Sequence, residues 1–300
     1  MLNIPITLNQ IRYILAVAKE GSTAAAARRL SISQPSISLA ISHAEEELGY
    51  PLFIRRSGLG MEPTSRGAST LTELRAAYQV LNDVFSSHED PSEIRGELSF
   101  GFMKTLGPRY VPGLVRTFQE QYPAVRVDLH EGDLGSLKTW LEMGRIDVAL
   151  VYDFALPSKL DVQVLKEIKP YGLVWPGHPL AERAEVSVDE LLADPLILMN
   201  LPGSREFFLS LLQGMADHVR IAFETGSVEF LRSAVANRLG VGLLATDLPY
   251  NETYDGSFVV NLPLSGATPP HRIALASNPK FAETPASRAF KSICVDEIGC

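Results

Sequence analysis

The sequence predicts three parts in series: a small, mostly α-helical head, one linker helix, and a larger α/β body folded as two lobes. Three observations carry this. Apolar residues recur at helical spacing through most of residues 8–48. A further stripe at spacings of three and four runs over 67–85. From residue 96, short β-rich runs alternate with helical ones. With 300 residues, of which 46% are hydrophobic, the chain is long enough for two or three separate cores.

Composition excludes several classes. No apolar run approaches the roughly 18 residues that a membrane span needs, and the N-terminus lacks the basic and apolar regions of a signal peptide, so a cytoplasmic protein without membrane contact is expected. Cys294 and Cys300 are the two cysteines, too few and too close to the C-terminus for a disulfide framework. The formal charge of -8 argues against nucleic acid only as a sum. Residues 1–66 hold seven basic and five acidic side chains, a balance of +2, which leaves -10 on the remainder. A modestly basic head on an acidic body suits a DNA reader whose body stays off the DNA.

The head opens with a helix over residues 8–19, whose Ile11, Ile14, Leu15 and Ala18 form a buried stripe. Residues 21–48 then read as two helices joined by a tight turn. Ser22 or Thr23 can cap the first, and the run from Ala24 to Leu30 has high helix propensity. Ser31, Ile32 and Ser33 interrupt it, because serine competes for its own backbone and Pro35 disfavours helical geometry in the residue before it. Ser33 caps the second helix, with Gln34 and Pro35 in its first turn. Ile37, Ile41, Ala44 and Leu48 face inward, which turns Gln34, Ser36, Ser38 and Ser42 outward beside Leu39. A solvated helix normally carries Lys and Glu there. Short hydroxyls, an amide and one leucine allow close approach to base edges and a thymine methyl in a major groove. An ordinary helical hairpin with a serine-rich face is the alternative.

After the break at Gly49-Tyr50-Pro51, residues 52–54 read as a strand and residues 55–60 as a glycine-rich hairpin tip. This is a wing. Arg55 and Arg56 stand where a wing meets phosphates or enters a minor groove.

GSTAAAARRL, SQPSIS, ELGYPLFIRR and PTSRG, in this order and spacing over residues 7–67, resemble the winged helix-turn-helix of LysR-type transcriptional regulators. The resemblance implies a DNA-binding domain over residues 1–66. Its contacts to double-stranded DNA are expected from Ser33, Gln34, Pro35, Ser36, Ser38, Leu39, Ser42, Arg55, Arg56, Thr64 and Arg66.

Residues 67–94 are expected to form a linker helix and hinge. The stripe of Leu71, Leu74, Tyr78, Leu81 and Phe85 needs cover, either from its own chain or from a second copy. The family resemblance implies the second: a homodimer or homotetramer whose paired heads address a dyad-symmetric site. The polar run from residue 86 to 95, with its proline, reads as the hinge.

In the body, strands over 98–102, 125–130 and 147–152 alternate with helices over 110–122 and 134–143, a βαβαβ unit that implies a parallel sheet. Following a strand-like run at 162–165, a second set comprises strands at 171–175, 196–199, 221–224 and 241–244 and helices at 205–215 and 228–238. A strand at 272–276 and a helix at 284–298 are expected to return to the first unit. The body, 95–300, thus divides into lobe I (95–165 and 269–300) and lobe II (166–268), with a cleft between them. EGDLGSL, LEMGRIDVAL and SAVANRLGVGLL resemble the effector domain of the same family, which is similar in architecture to periplasmic solute-binding proteins.

Ligands of open α/β sheets sit beyond the C-terminal strand ends. That rule nominates Met103, Lys104, Thr105, Gly132, Asp133 and Tyr152 in lobe I. In lobe II it nominates Asn200, Pro202, Gly203, Ser204, Arg205, Ser227 and Thr246. Lys104, Thr105, Ser204 and Arg205 beside two helix N-termini suit a small organic acid as effector, although Ser204 and Ser227 also suit plain helix caps. No catalytic residues, metal site or cofactor is expected. Gly240, Gly242 and Ala245 fit a dinucleotide fingerprint but follow a helix and are strand-like, and the six histidines lack metal-ligand spacing. A ligand-responsive transcriptional regulator is the leading expectation; an enzyme or solute-binding module fused to a DNA anchor is the alternative.

Overall fold

The computed structural model describes residues 5–56, 60–86, 94–154, 156–212, 219–266, 268–269 and 271–299. The wing tip, most of the expected hinge, and the side chains of Arg56 and Phe85 lie outside the described residues.

The head contains α1 (Leu8–Glu20), α2 (Thr23–Leu30) and α3 (Gln34–Leu48), then β1 (Phe53–Arg56) and β2 (Gly60–Pro63) as an antiparallel wing. Caps written in the sequence set the helix starts. Thr7 Oγ1 accepts from Gln10 N at 3.2 Å, Ser22 Oγ from Ala25 N at 3.4 Å, and Ser33 Oγ from Ser36 N at 3.3 Å. Ser31, at φ 54°, makes the left-handed turn between α2 and α3. Ile11, Ile14, Val17, Ala26, Ile37, Ile41 and Ala44 close the core. Glu45 fastens the wing to α3, its Oε1 accepting from Leu52 N at 2.7 Å and Phe53 N at 3.1 Å.

The linker helix α4 (Ser65–Ser86) begins on the head rather than away from it. Leu71 is buried in the head core, and Leu74 and Tyr78 pack against that core. Thus the first half of the expected pairing stripe is covered by its own chain, while Val80 and Leu81 remain exposed.

Lobe I contains β3 (Gly96–Met103), α5 (Gly107–Gln121), β4 (Val125–Gly132), α6 (Leu134–Glu142), β5 (Val148–Tyr152) and β6 (Asp161–Ile168). Lobe II follows with β7 (Tyr171–Val174), α7 (Val188–Leu191), β8 (Leu196–Met199), α8 (Ser204–Leu211), β9 (Ile221–Thr225), α9 (Val228–Ala236), β10 (Val241–Leu244) and β11 (Val260–Pro263). The chain then returns to lobe I with β12 (His271–Ser277) and α10 (Pro285–Ile298). The sheet orders are β4-β3-β5-β12-β6 and β11-β7-β10-β8-β9.

Each sheet has three parallel strands along one side, as the alternating pattern predicts, but both are mixed: β12 is antiparallel to β5 and β6, and β7 to β10 and β11. The antiparallel strands arise where the chain crosses between lobes and re-enters a sheet from the other end. Strand β6 stays in lobe I through Ile168, three residues beyond the expected boundary, so the first crossing lies at 169–170 and the second between 264 and 271. The two lobes have separate cores, and the head a third. No helix among the described residues is long and apolar enough to cross a membrane.

Gly67 lies where the first turn of α4 meets the wing; a Cβ there would overlap Leu52 O and crowd Thr64 Oγ1. Gly67→Ala is expected to destabilise the head by roughly 2 kcal/mol, as overpacking against backbone does. Urea denaturation followed by helical circular dichroism measures it; an unchanged midpoint would remove the close approach from the list of constraints on α4.

Candidate nucleic-acid interface and effector cleft

The outward face of α3 is uncovered. Gln34, Pro35, Ser36, Ser38, Leu39 and Ser42 are all exposed, Leu39 to 71%. Two of these residues are also used internally. Ser33 Oγ and Ser36 Oγ lie 2.7 Å apart, and Gln34 Nε2 donates to Thr23 Oγ1 at 3.1 Å, which fixes the first turn against α2. Ser38, Leu39 and Ser42 project from the second and third turns. Arg55 is exposed on β1 of the wing. Thr64 and Arg66 behave differently. The Thr64 hydroxyl donates to Pro51 O and accepts from Gly67 N, both at 2.8 Å, and the Arg66 guanidinium stacks 3.8 Å over the Tyr50 ring. Thr64 is therefore a cap for α4, and Arg66 is held at the foot of the wing with its charge at the surface.

The cleft is bridged by a ring stack whose members His271 and Phe207 lie outside the strand ends nominated from the sequence. The His271 imidazole, at the start of β12, lies between Tyr152 of lobe I and Phe207 of lobe II, with centroid separations of 4.2 and 4.1 Å. Phe154 meets Phe207 edge-on at 5.9 Å. Beside this stack the Thr105 hydroxyl lies within hydrogen-bonding reach of the Tyr152 phenol, and His271 Nδ1 is buried without a hydrogen-bond partner. Native proteins rarely leave such groups unpaired, because desolvation is then uncompensated. Burial pushes the Tyr152 phenol upward and the His271 imidazole down to about 4, so both are neutral near pH 7.

The remaining nominated residues divide by their partners. Met103 is buried, with its Sδ accepting from Tyr152 N at 3.5 Å. Ser204 is buried in the first turn of α8, whose preceding Gly203 N donates to Glu206 at 2.8 Å. Arg205 and Asn200 both reach Glu224, at 3.1 and 2.7 Å, so the Arg205 charge is already countered. Pro202 is exposed beside them. Asp133 caps α6, accepting from Ser136 N at 2.7 Å, and this hydrogen bond holds its carboxyl below the usual range. Ser227 caps α9, and Thr246 Oγ1 lies 2.9 Å from Tyr171 Oη. Gly132 packs against Trp140, and Lys104 is exposed at the end of β3.

Asp247 provides a second bridge between the lobes. Its carboxylate accepts from Tyr110 at 2.7 Å and pairs with Lys166 at 2.8 Å, both in lobe I. Burial works against its charge, but these two partners keep the carboxyl below its usual range. Among the described residues no group of His, Cys, Asp and Glu is placed to hold a metal ion.

A helical reading head and a two-lobed sensing body on one chain define a one-component regulator. Residues 8–68 match the bacterial regulatory helix-turn-helix of the LysR family, and residues 91–299 match the LysR substrate binding domain. The chain therefore belongs to the LysR family, and it is a ligand-responsive transcriptional regulator. It is 32% identical to a putative LysR family regulator from Pseudomonas aeruginosa, with a TM-score of 0.66 over 99% of this chain and 100% of that one. It is 27% identical to a probable RuBisCO transcriptional regulator of a Synechocystis species, over 97% of this chain and 86% of the relative. Full-length OxyR from Pseudomonas aeruginosa shares the fold, with a TM-score of 0.78 at 22% identity over 98% of each chain.

The stack also makes a pH prediction. An unfolded histidine titrates near 6.5 and His271 in the fold near 4, so the stability of the neutral ring is complete above pH 6.5 and is lost as pH falls toward 4. His271→Phe should reduce the acid-induced loss over that window by up to about 3 kcal/mol. Denaturant midpoints of both proteins across the window test this; parallel curves would mean that His271 is not buried as a neutral ring.

Proposed function

We propose that the chain binds dyad-symmetric promoter DNA as a homodimer or homotetramer, acts in the cytoplasm, and is not itself an enzyme. The observation that carries the reading is the exposed face of α3, where Ser38, Leu39 and Ser42 stand clear of the core, together with the exposed Arg55 on the wing. Hydroxyl groups and one apolar side chain read base edges and a methyl group, while the arginine meets phosphate. Val80 and Leu81, exposed on the second half of α4, support pairing with another copy of the helix.

The effector is a small organic acid carrying hydroxyl groups. Its carboxylate would lie toward Lys104 and the start of α8. The His271 ring nitrogen, buried without a partner, and the paired hydroxyls of Thr105 and Tyr152 beside it would accept from or donate to its hydroxyls. Arg205 would join only by leaving Glu224. A ligand that meets both lobes favours one arrangement of them over another only by its difference in affinity for the two.

Ser38→Ala and Gln34→Ala are expected to relax sequence preference, whereas Arg55→Ala weakens binding to all sequences and lowers the salt slope by about one. Anisotropy titrations of specific and random duplexes separate the two effects; equal loss on both duplexes in all three variants would refute the division of roles. Calorimetric titration of the protein with a metabolite panel tests the effector class, and a strong preference for neutral or cationic compounds would sink the organic-acid reading. A gel shift that depends on the ligand without turnover supports the regulator; turnover would favour an enzyme fused to a DNA anchor.

A further inference from the structure

Strands β3, β4 and β5 are parallel and in register, Gly96 opposite Val125 and Met103 opposite Gly132, with Phe102 opposite Leu150. Their C-terminal ends carry Met103, Gly132 and Tyr152, which border the cleft. Their N-terminal ends carry a different chemistry. Glu97, Ser99 and Asp128 meet two cations of the head there.

Lys19, in the last turn of α1, donates to Ser99 Oγ at 2.8 Å and lies 2.9 Å from Asp128 and 3.5 Å from Glu97. Arg29, in the last turn of α2, holds Glu20 at 2.6 Å and Glu97 at 2.5 Å, with Asp128 at 3.8 Å. The Lys19 side chain is only 11% exposed, so this is not a solvated pair of the kind worth little. His130 lies 3.4 Å from Asp128, and Arg126 lies 3.8 Å from Glu97 at the solvent edge. Burial would raise the Asp128 carboxyl, but Lys19 overcomes it and holds the group below its usual range. A second contact follows on the linker. Arg75 of α4 donates to Gly144 O, just before β5, and lies close enough to feel the buried Asp147 carboxylate. Asp147 in turn accepts from Ser99 N at 2.7 Å, which joins the two contacts through β3.

The placement is informative because the reading face of α3 stays exposed while the head is docked. The contact therefore does not occlude DNA binding. Among the described residues it attaches the head to lobe I.

We propose that Lys19 and Arg29, with Glu97 and Asp128, form a polar latch that fixes the DNA-reading head to lobe I, so that head and lobe I move as one body. About 20 Å of paired strand, six residues at roughly 3.3 Å each, then connects the latch to the cleft. A rigid sheet of this kind turns a rotation of lobe I against lobe II into a change in the angle of α3. In this arrangement Lys19 and Arg29 belong to the latch and are not contacts to phosphate. The latch extends the proposed function but is independent of the identity of the effector.

The test uses the full chain without ligand. A carbodiimide joins a lysine to a carboxylate only where they already touch. Mass spectrometry of the treated protein should find Lys19 joined to Asp128 or Glu97. Mixing heavy-isotope and ordinary chains should show the link within one chain. Lys19→Glu should lower the urea midpoint, and the exchanged pair Lys19→Glu with Asp128→Lys should recover at least half of that loss. On a random duplex, Lys19→Ala and Arg29→Ala should leave the salt slope unchanged, whereas a phosphate contact would lower it by about one each. Absence of the link, a link found only between chains, no recovery in the exchanged pair, or a lowered slope for both alanine variants would each overturn the latch. Sequence-specific DNA binding by the wild-type protein, measured in parallel, tells failure of the latch from failure of the reading head.

Discussion

Parallel strands have a direction, and in this molecule that direction is the constraint on which the rest depends. Because β4, β3 and β5 run the same way, lobe I has one end built from strand starts and another built from strand finishes. The finishes border the cleft. The starts carry the acidic groups that meet Lys19 and Arg29. Had β3 and β4 been antiparallel, each end would mix the two kinds of residue, and neither a cleft nor a docking face would be as sharply defined.

Charge is distributed to match. Summed over residues 1–66 the head is basic by two, yet Lys19 and Arg29 face lobe I rather than open solvent. The positive groups left on the outside of the head include Arg28 at the end of α2 and Arg55 on the wing. The acidic body is thus not a uniform counter-ion to the head. Two of its carboxylates, Glu97 and Asp128, are placed against specific cations, and others close the surface of lobe II, as Glu224 does with Arg205. Net charge alone could not have distinguished these uses.

Much of the fold was legible because its determinants are local. Ser33 followed by Pro35, and Gly49 after Leu48, mark the ends of α3 within a few residues of the event. The alternating pattern of the body marks β3 to β5 for the same reason. Short elements held by distant partners were less legible: β11 forms because Val260 and Leu262 pair with β7, and nothing around them signals that register. Helix α7 was legible in principle, since Ser187 and Glu190 form a capping box, but one turn gives no periodicity. In the cleft, the strand-end rule reached Thr105 and Tyr152 but not His271 or Phe207. Those two meet only after the chain has crossed between lobes twice. Lys19 and its Ser99 partner are 80 positions apart, so their contact is likewise a property of the fold and not of any segment.

The His271 ring illustrates how a buried group can define what a sensor ignores. With the imidazole pushed down to about 4 and the Tyr152 phenol pushed upward, neither changes its proton count near neutrality. An ordinary surface histidine would gain and lose its charge as the surrounding acidity drifted, and the affinity of the cleft would drift with it. Enclosed between two rings, His271 stays neutral over that range. A cleft lined by such groups would report the abundance of a molecule and not the acidity of the medium in which it is dissolved.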